Sequence, residues 1–490
     1  MKKVSSVLKY IPILLASVLF MLSLYITEKV YNASFDQLLF SLLKTEGTSF
    51  NALSDGFFYV LVGTLLIFPF LVLPIIRFKK KVIVDIKIGK KRCRKQLFPI
   101  RNVKVYNTSM IILSLFVLFY SSGFFDYIYY NFNKSSLFED YYVDTKDVDV
   151  VFPEKKQNLI YIFLESMESS NFSKENGGVF KSSIIPNLEK LAIENINFSN
   201  TSLLGGALES YGNSWTMAAM VAQTAGIPLK VVPKDVLKNS TNLEKVTNIG
   251  DVLKENGYDN YLMLGSDVNF GGRKQYFEFH NYEISDYYTA IEEGIIDNDY
   301  FEWWGFEDAK LFSYAKEKLE EISKSDRPFN LTLLTADTHF TDGYLDKSCE
   351  KRFDISYANA FYCSDSMIYE FIEWVKNQDF YENTTIILSG DHLTMQDNIY
   401  DGADTNFVRT VYNVFINPKA DFVENKNRIF TTFDMYPSTL AALGVKIEGD
   451  RLGLGTNLFS SKKTIPEEIG LNIFNDELKK RSTYYSEKVR

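Results

Sequence analysis

An apolar run, Thr384-Thr385-Ile386-Ile387-Leu388, stops at Ser389-Gly390 and delivers Asp391 and His392 side by side. Far upstream a second run, Leu159-Ile160-Tyr161-Ile162-Phe163-Leu164, ends as abruptly at Glu165. Carboxylates and an imidazole at the carboxyl ends of buried strands are the groups from which an open α/β sheet builds a divalent-metal site. Two carboxylates and one imidazole form a mixed oxygen and nitrogen set that leaves Mn²⁺, Zn²⁺ and Mg²⁺ open. An Asp-His pair alone also fits a turn in a surface loop. The chain has 3 histidines, His280, His339 and His392, and two of them follow apolar β-like runs, which favours the metal reading.

A metal in such a place acts as a Lewis acid on phosphoryl oxygen and lowers the pKa of a bound hydroxyl, so the sequence should also hold a nucleophile. Thr216 follows Glu209-Ser210-Tyr211-Gly212-Asn213-Ser214-Trp215. It is expected in the first turn of a helix, where exposed N–H groups and the positive end of the dipole favour an anion. Its hydroxyl can attack phosphorus or merely cap the helix, and Ser214 competes for the first role. Arg273, after the pair Gly271-Gly272, can clamp a phosphate bidentately; the alternative is a solvated loop charge. His339, with Asp337 two residues before it, is a candidate to bind a substrate oxygen or to move a proton, against the reading of a satisfied core histidine. His280 has no comparable neighbours and reads as structural.

The elements that must position these groups are legible as continuous apolar runs alternating with helical patterns. The runs are Leu159–Leu164, Tyr261–Leu264, Asn330–Leu334, Thr384–Leu388 and Thr410–Ile416. Strands apolar at every position are buried on both faces, which predicts an α/β domain with a doubly wound, mostly parallel sheet. Their carboxyl ends carry Glu165-Ser166, Gly265-Ser266-Asp267, the segment from Thr335 to His339, and Gly390-Asp391-His392, and these ends converge on one crevice in such a sheet. Helices are expected over Pro186–Ala192, Thr216–Ala222 and Tyr357–Lys376, the last with Ile368, Phe371, Ile372 and Val375 as its apolar stripe. No internal repeat of useful length is visible.

Length and composition add a membrane part. The chain has 490 residues, 46% of them hydrophobic and 15% aromatic, with a net charge of −9. Residues 1–130 hold three stretches with the length of a membrane span, about 10–26, 57–78 and 110–126. The basic runs from Arg77 to Lys81 and from Lys90 to Lys95 fall in or beside a loop, 79–105, between the second and third spans, which places that loop in the cytoplasm and everything after Tyr127 outside. A polar, Tyr- and Asp-rich linker, 131–150, then leads to a catalytic domain, 151–460, and a tail, 461–490. The resulting picture is a multi-pass protein of the cell membrane with its catalytic domain extracytoplasmic. Basic runs beside apolar spans set topology, and with the acidic net charge they argue against a nucleic-acid partner. Cys93 falls in the cytoplasmic loop, whereas Cys349 and Cys363 both fall outside, as a disulfide or as two buried thiols.

The residues singled out resemble the alkaline phosphatase/sulfatase superfamily and, within it, the membrane-anchored phosphoglycerol transferases, with lipoteichoic acid synthases more distant. The segments that carry the resemblance are NLIYIFLESME (158–168), PNLEKLA (186–192), SWTMAAMVAQTAGIPL (214–229), DTHFTDGYL (337–345), SGDHLTM (389–395), FTTFDMYPSTLAALG (430–444) and RLGLGTNLFS (451–460). It implies a sulfatase-type domain outside the membrane of a bacterium. It implies Thr216 as the nucleophile toward phosphatidylglycerol, with diacylglycerol released and phosphoglycerol passed to a hydroxyl of an envelope glycan or glycerophosphate polymer. Glu165, Thr216, Asp391 and His392 match the metal set for one divalent ion, Mn²⁺ ahead of Mg²⁺ or Zn²⁺. Arg273 and His339 match substrate binders, and Asp337 is grouped with them. Lipoteichoic acid synthases carry a tryptophan just before this arginine where the present chain has Gly271. The formylglycine motif of sulfatases, Cys or Ser followed by x-Pro-x-Arg, does not occur; Met217-Ala218-Ala219-Met220 follows Thr216. Phosphoethanolamine transfer on the same fold is the nearest alternative, although that family is richer in histidine and cysteine, and a tethered glycan-binding scaffold is the non-enzymatic one. Trp303 and Trp304 fit either sugar stacking or a core.

Overall fold

A computed structural model of the chain describes residues 9–29, 34–43, 50–76, 82–88, 91–98, 100, 102–230, 243–404 and 406–489. The basic run Arg77–Lys81 and Lys90 lie outside these residues. The chain divides into two compact units, Met1–Leu38 with Thr48–Tyr129, and Leu39–Gly47 with Tyr130–Arg490.

The first unit contains three helices long and apolar enough to cross a membrane, with windows at Ile11–Glu28, Gly56–Ile75 and Val103–Ser121. The first packs against the other two. At Gly63 the first two meet closely: a Cβ there would stand 2.0 Å from Met21 Cε, so the methionine side chain fills the space that the glycine leaves. The third starts earlier than the apolar pattern alone indicates, because the Asn102 side chain accepts from Val105 N and caps it. Part of the segment expected as a loop is an antiparallel hairpin, Val82–Ile88 with Lys91–Phe98.

The second unit is built on a seven-stranded sheet. Its strands are β1 (Asn158–Leu164), β2 (Gly206–Ala207), β3 (Asp259–Leu264), β4 (Tyr282–Ser285), β5 (Phe329–Leu334), β6 (Thr384–Gly390) and β7 (Val411–Ile416). Their order across the sheet is β2-β7-β6-β1-β5-β3-β4. All neighbours from β6 to β4 are parallel, and β7 runs antiparallel to both β6 and β2. The two short strands β2 and β4 had no apolar run to announce them.

Side chains of β1 alternate between two cores, as the period of a strand requires. Leu159, Tyr161 and Phe163 join one cluster with Met217 and Tyr276, while Ile160, Ile162 and Leu164 join the other with Leu188 and Phe371. Helix α1 (Pro186–Glu194) packs Leu188 into the second cluster, α2 (Thr216–Ala225) and α3 (Arg273–Phe279) pack Met217 and Tyr276 into the first, and α4 (Asp308–Ile322) and α5 (Ser356–Lys376) pack Leu311 and Phe371 into the second. The start of α1 has Pro at its first position and takes its cap from another helix: Asp365 of α5 accepts from Leu188 N at 2.7 Å and from Asn187 N at 3.2 Å. The segment after Ser460 carries helices Ile465–Ile469 and Leu471–Lys479 and buries Phe474, Leu478 and Tyr485 in the first cluster.

Cys349 and Cys363 are joined by a disulfide across a sequence separation of 14. It ties the loop after β5 to α5. Closing a loop of that size restricts the unfolded chain, so replacing both cysteines by serine should lower unfolding free energy by about 3 kcal/mol, read from denaturant midpoints of the full chain.

Candidate metal centre and phosphate pocket

The register of the sheet assembles the site. Leu164 of β1 pairs with Gly390 of β6, so the next residues, Glu165 and Asp391, emerge side by side. A Cβ at Gly390 would lie 2.1 Å from Met167 O, and only glycine allows the two strand ends to approach this closely. Asp391 N donates to Leu164 O at 3.0 Å, and Glu165 N donates to Thr335 Oγ1 at 2.9 Å. Ser166 follows in a left-handed conformation, φ 54°, which turns its N–H onto Asp391 Oδ1 at 2.8 Å.

Asp391 Oδ1 also accepts from His392 N at 2.7 Å, whereas Oδ2 is buried and has no hydrogen-bond partner among the described residues. His392 Nδ1 lies 2.8 Å from Leu393 O, which holds a proton on Nδ1 and turns Nε2 toward the carboxylates. Nε2 stands 3.3 Å from Asp391 Oδ2 and 3.8 Å from Glu165 Oε1. Thr216 opens α2 behind Trp215, whose side chain makes no cap. Its Oγ1 sits 3.4 Å from Glu165 Oε2 and 3.5 Å from His392 Nε2, so it faces these groups instead of capping its own helix.

Glu165, Asp391 and His392 each offer one ligand atom, all within 4.8 Å of one another. Ligands about 2.1 Å from a four-coordinate ion stand about 3.4 Å apart, which the separations above match. The unsatisfied Asp391 Oδ2 is the second reason that the donor set fits a divalent cation. Burial first, and Glu165 second, push the Asp391 carboxyl up to about 7. Burial would lower His392, but Asp391 and Glu165 outweigh it and raise the imidazole to about 9. Protons thus take part of the place a cation would fill.

Beside this cluster Arg273, the first residue of α3, is 4% exposed. Its Nε donates to Phe270 O at 3.0 Å, and Nη2 donates to Asp267 O at 2.8 Å and Ser266 Oγ at 3.2 Å. Among the described residues no carboxylate lies in ion-pair contact with it. A buried guanidinium held by neutral oxygens is a ready anion receptor. Burial lowers its pKa only to about 10, so it stays charged at neutral pH. Burial also lowers His339 to about 4, leaving a neutral ring whose Nδ1 lies 2.6 Å from Phe340 O. Asp337 turns elsewhere: it accepts from Asp308 N at 3.2 Å and donates its own N–H to Asp308 Oδ2 at 3.1 Å. His280 is paired with Asp251 at 2.5 Å, away from these groups.

Three residues not singled out in the sequence brace the site. Gln223, two turns after Thr216 on α2, donates to Gly390 O at 2.9 Å and to Asp391 O at 3.3 Å. A polar pair, Gln223-Thr224, in the otherwise apolar run from Met217 to Ala225 was the available signal. Glu168, fully buried, accepts from Thr394 N at 2.8 Å and from Arg409 Nε at 2.9 Å, and Arg409 also donates to Thr394 O at 2.8 Å. This clamp fixes the loop just beyond His392 against the loop just beyond Glu165.

Two outcomes follow for metal binding. Glu168→Gln should weaken Mn²⁺ affinity by about 10- to 100-fold in calorimetric titration, because the bracing of ligands is lost while the ligands remain. Bound protons compete with the ion, so Mn²⁺ affinity should rise by up to about tenfold per pH unit for each proton displaced, as pH climbs through the values of Asp391 and then His392; a flat profile would contradict the protonation pattern.

The family model described as Sulfatase matches residues 157–445, more than half of the chain. Phosphoglycerol transferase I of Escherichia coli O6:K15:H31 (strain 536 / UPEC) is 31% identical over 342 residues, covering 67% of this chain and 42% of that protein. Phosphoglycerol transferase I of Xanthomonas euvesicatoria pv. vesicatoria (strain 85-10) is 31% identical over 259 residues, 50% of this chain and 35% of that protein. The chain therefore spans less than half the length of these relatives. Among solved structures, the lipoteichoic acid synthase LtaP from Listeria monocytogenes aligns with a TM-score of 0.49 at 19% identity, covering 64% of this chain and 79% of that one. With the Sulfatase family model matching residues 157–445, over the parallel sheet and the crevice at its strand ends, the chain belongs to the sulfatase family.

Proposed function

We propose that the chain transfers phosphoglycerol from phosphatidylglycerol to a hydroxyl of an envelope glycan or glycerophosphate polymer, through a covalent phosphothreonine at Thr216. The observation that carries this reading is the Thr216 hydroxyl, 3.4 Å from Glu165 and 3.5 Å from His392, in a crevice that also holds a buried arginine whose hydrogen bonds among the described residues go to neutral oxygens. The absence of a formylglycine motif favours phosphorus over sulfur, and the similarity to proteins named phosphoglycerol transferase I favours this headgroup.

In the first step Thr216 Oγ attacks the phosphorus of phosphatidylglycerol, the bond from phosphorus to the diacylglycerol oxygen breaks, and diacylglycerol leaves with a proton. In the second an acceptor hydroxyl attacks the same phosphorus, the bond to Thr216 Oγ breaks, and the threonine regains a proton. Glu165, Asp391, His392 and Thr216 would hold one divalent ion, for which we take Mn²⁺ ahead of Mg²⁺ or Zn²⁺, and such an ion supplies Lewis acidity to phosphoryl oxygen and favours the alkoxide. Arg273 neutralises the phosphoryl charge from the side of α3, and the N–H groups at the start of α2 face the same volume. His339, neutral at pH 7, is suited to hydrogen-bond the glycerol moiety, and its pKa near 4 keeps that role constant across neutral pH.

Three helices of spanning length and a disulfide support a multi-pass protein of the bacterial cell membrane with this unit outside. A site beside a bilayer meets lipid headgroups without a search through solution. In Thr216→Ala, diacylglycerol release from labelled phosphatidylglycerol should fall by about 10³-fold or more, while Thr216→Ser keeps measurable turnover and carries glycerophosphate on that serine in mass spectra. An alanine variant that still releases diacylglycerol would sink the assignment.

A further inference from the structure

A group of aromatic side chains stands next to Arg273 and His339 and belongs to neither hydrophobic cluster. Phe270, Trp303, Trp304, Phe340 and Tyr344 are all partly exposed, and none is packed into the two cores. The Trp304 ring lies 4.7 Å from the His339 ring and 5.6 Å from the Phe270 ring. Phe270 in turn lies under the Arg273 guanidinium at 5.4 Å. Trp304 is thus continuous with the phosphate pocket.

Its loop is rigidly held. Glu302 and Gly305 exchange backbone hydrogen bonds at 2.8 and 3.0 Å, and Phe306 N donates to Gly265 O at the end of β3 at 2.9 Å. Trp303, at φ 58°, donates its indole N–H to Ala336 O just after β5 at 3.0 Å. Trp303 therefore anchors the loop, and Trp304 is the ring displayed. A fixed aromatic face loses little freedom on binding.

We infer that Trp304 is the stacking platform for a saccharide ring of the acceptor, which rests on the transfer reading above. A pyranose has an apolar C–H face and a polar rim of hydroxyls. The structure offers the complement: a half-buried indole, then a rim of Glu302 paired with Lys347 at 3.0 Å, and Asp342 paired with Gln396 at 2.6 Å. An acyl chain would leave those polar groups facing hydrocarbon. A glycerophosphate polymer running outward from the Arg273 pocket would meet the carboxylates of Glu302 and Asp342, whose described partners are one lysine, Lys347, and a neutral amide, Gln396. A neutral glycan satisfies both conditions.

The test uses full chain in lipid nanodiscs, with cellohexaose as the probe and tryptophan fluorescence as the readout. The chain has 4 tryptophans, Trp215, Trp303, Trp304 and Trp374. Cellohexaose should give a saturable change. Trp304→Ala should raise its dissociation constant by about tenfold, and Trp304→Phe, which retains a ring, should stay within about threefold of the parent. Trp374, stacked on Phe371 at 6.2 Å in the second cluster, is the control: Trp374→Phe should leave the constant unchanged. An unaltered constant in Trp304→Ala, or displacement of cellohexaose by oligoglycerol phosphate or dioleoylglycerol at lower concentration than by a second glucan, would overturn the inference. Saccharide binding requires no turnover, so Trp304-dependent binding by a chain that does not cleave phosphatidylglycerol would refute the transfer reading alone. Turnover without such binding would refute this one alone.

Discussion

Two buried carboxylates held against each other are the constraint on which the rest of this structure turns. Glu165 and Asp391 stand together because β1 and β6 are parallel neighbours in one register, Leu164 opposite Gly390. Two negative charges in that position repel strongly, and burial multiplies the cost, so the arrangement is tolerable only with compensating positive charge. His392 supplies some. The surrounding scaffold then acts to prevent the escape that repulsion favours: Ser166 and His392 N–H groups grip Asp391 Oδ1, Gln223 grips the strand-end carbonyls, and the Glu168–Arg409 clamp closes the loops behind. A strained acidic pair kept in place by neutral and oppositely charged braces is the condition for strong cation affinity.

The same logic explains why α2 is so apolar. Met217, Ala218, Met220, Val221 and Ala222 pack in the first core, and Thr216 at the helix start faces Glu165 and His392. The helix therefore brings three things at once: a hydroxyl at its start, the N–H groups of its first turn, and Gln223 two turns later. Thr224 adds a bond from α2 to Tyr276 of α3 at 2.8 Å, so the helix bearing Thr216 and the helix bearing Arg273 are positioned as one body.

Most of the central sheet was legible because its strands are apolar at every position, a pattern that only burial on both faces produces. The polar clusters at their ends were legible for the same reason, since the apolar run marks where the chain leaves the core. Glu165, Asp391 and His392 could be grouped from sequence once the strands were taken as parallel. What could not be read was pairing between side chains distant in sequence. Asp337 stands two residues from His339, yet its partner is Asp308, 29 residues earlier in the chain, a contact that the folded loop after Leu334 makes and that no local pattern announces. Glu168 and Arg409 are 241 residues apart and carry no local signature of their contact. The short strands Gly206–Ala207 and Tyr282–Ser285 have too few residues to show a period, and their identity as strands comes entirely from the neighbours that they extend.

Those two short strands are also the edges of the sheet. An edge strand presents unpaired N–H and C=O groups that can recruit a strand from another molecule. Here the exposed margins are two residues long on one side and four on the other, with the long apolar strands all inside. A sheet whose interior strands are so uniformly hydrophobic would be a strong template for aggregation if any of them lay at a margin. Brief, blunt edges let such a domain be crowded against its own copies without polymerising.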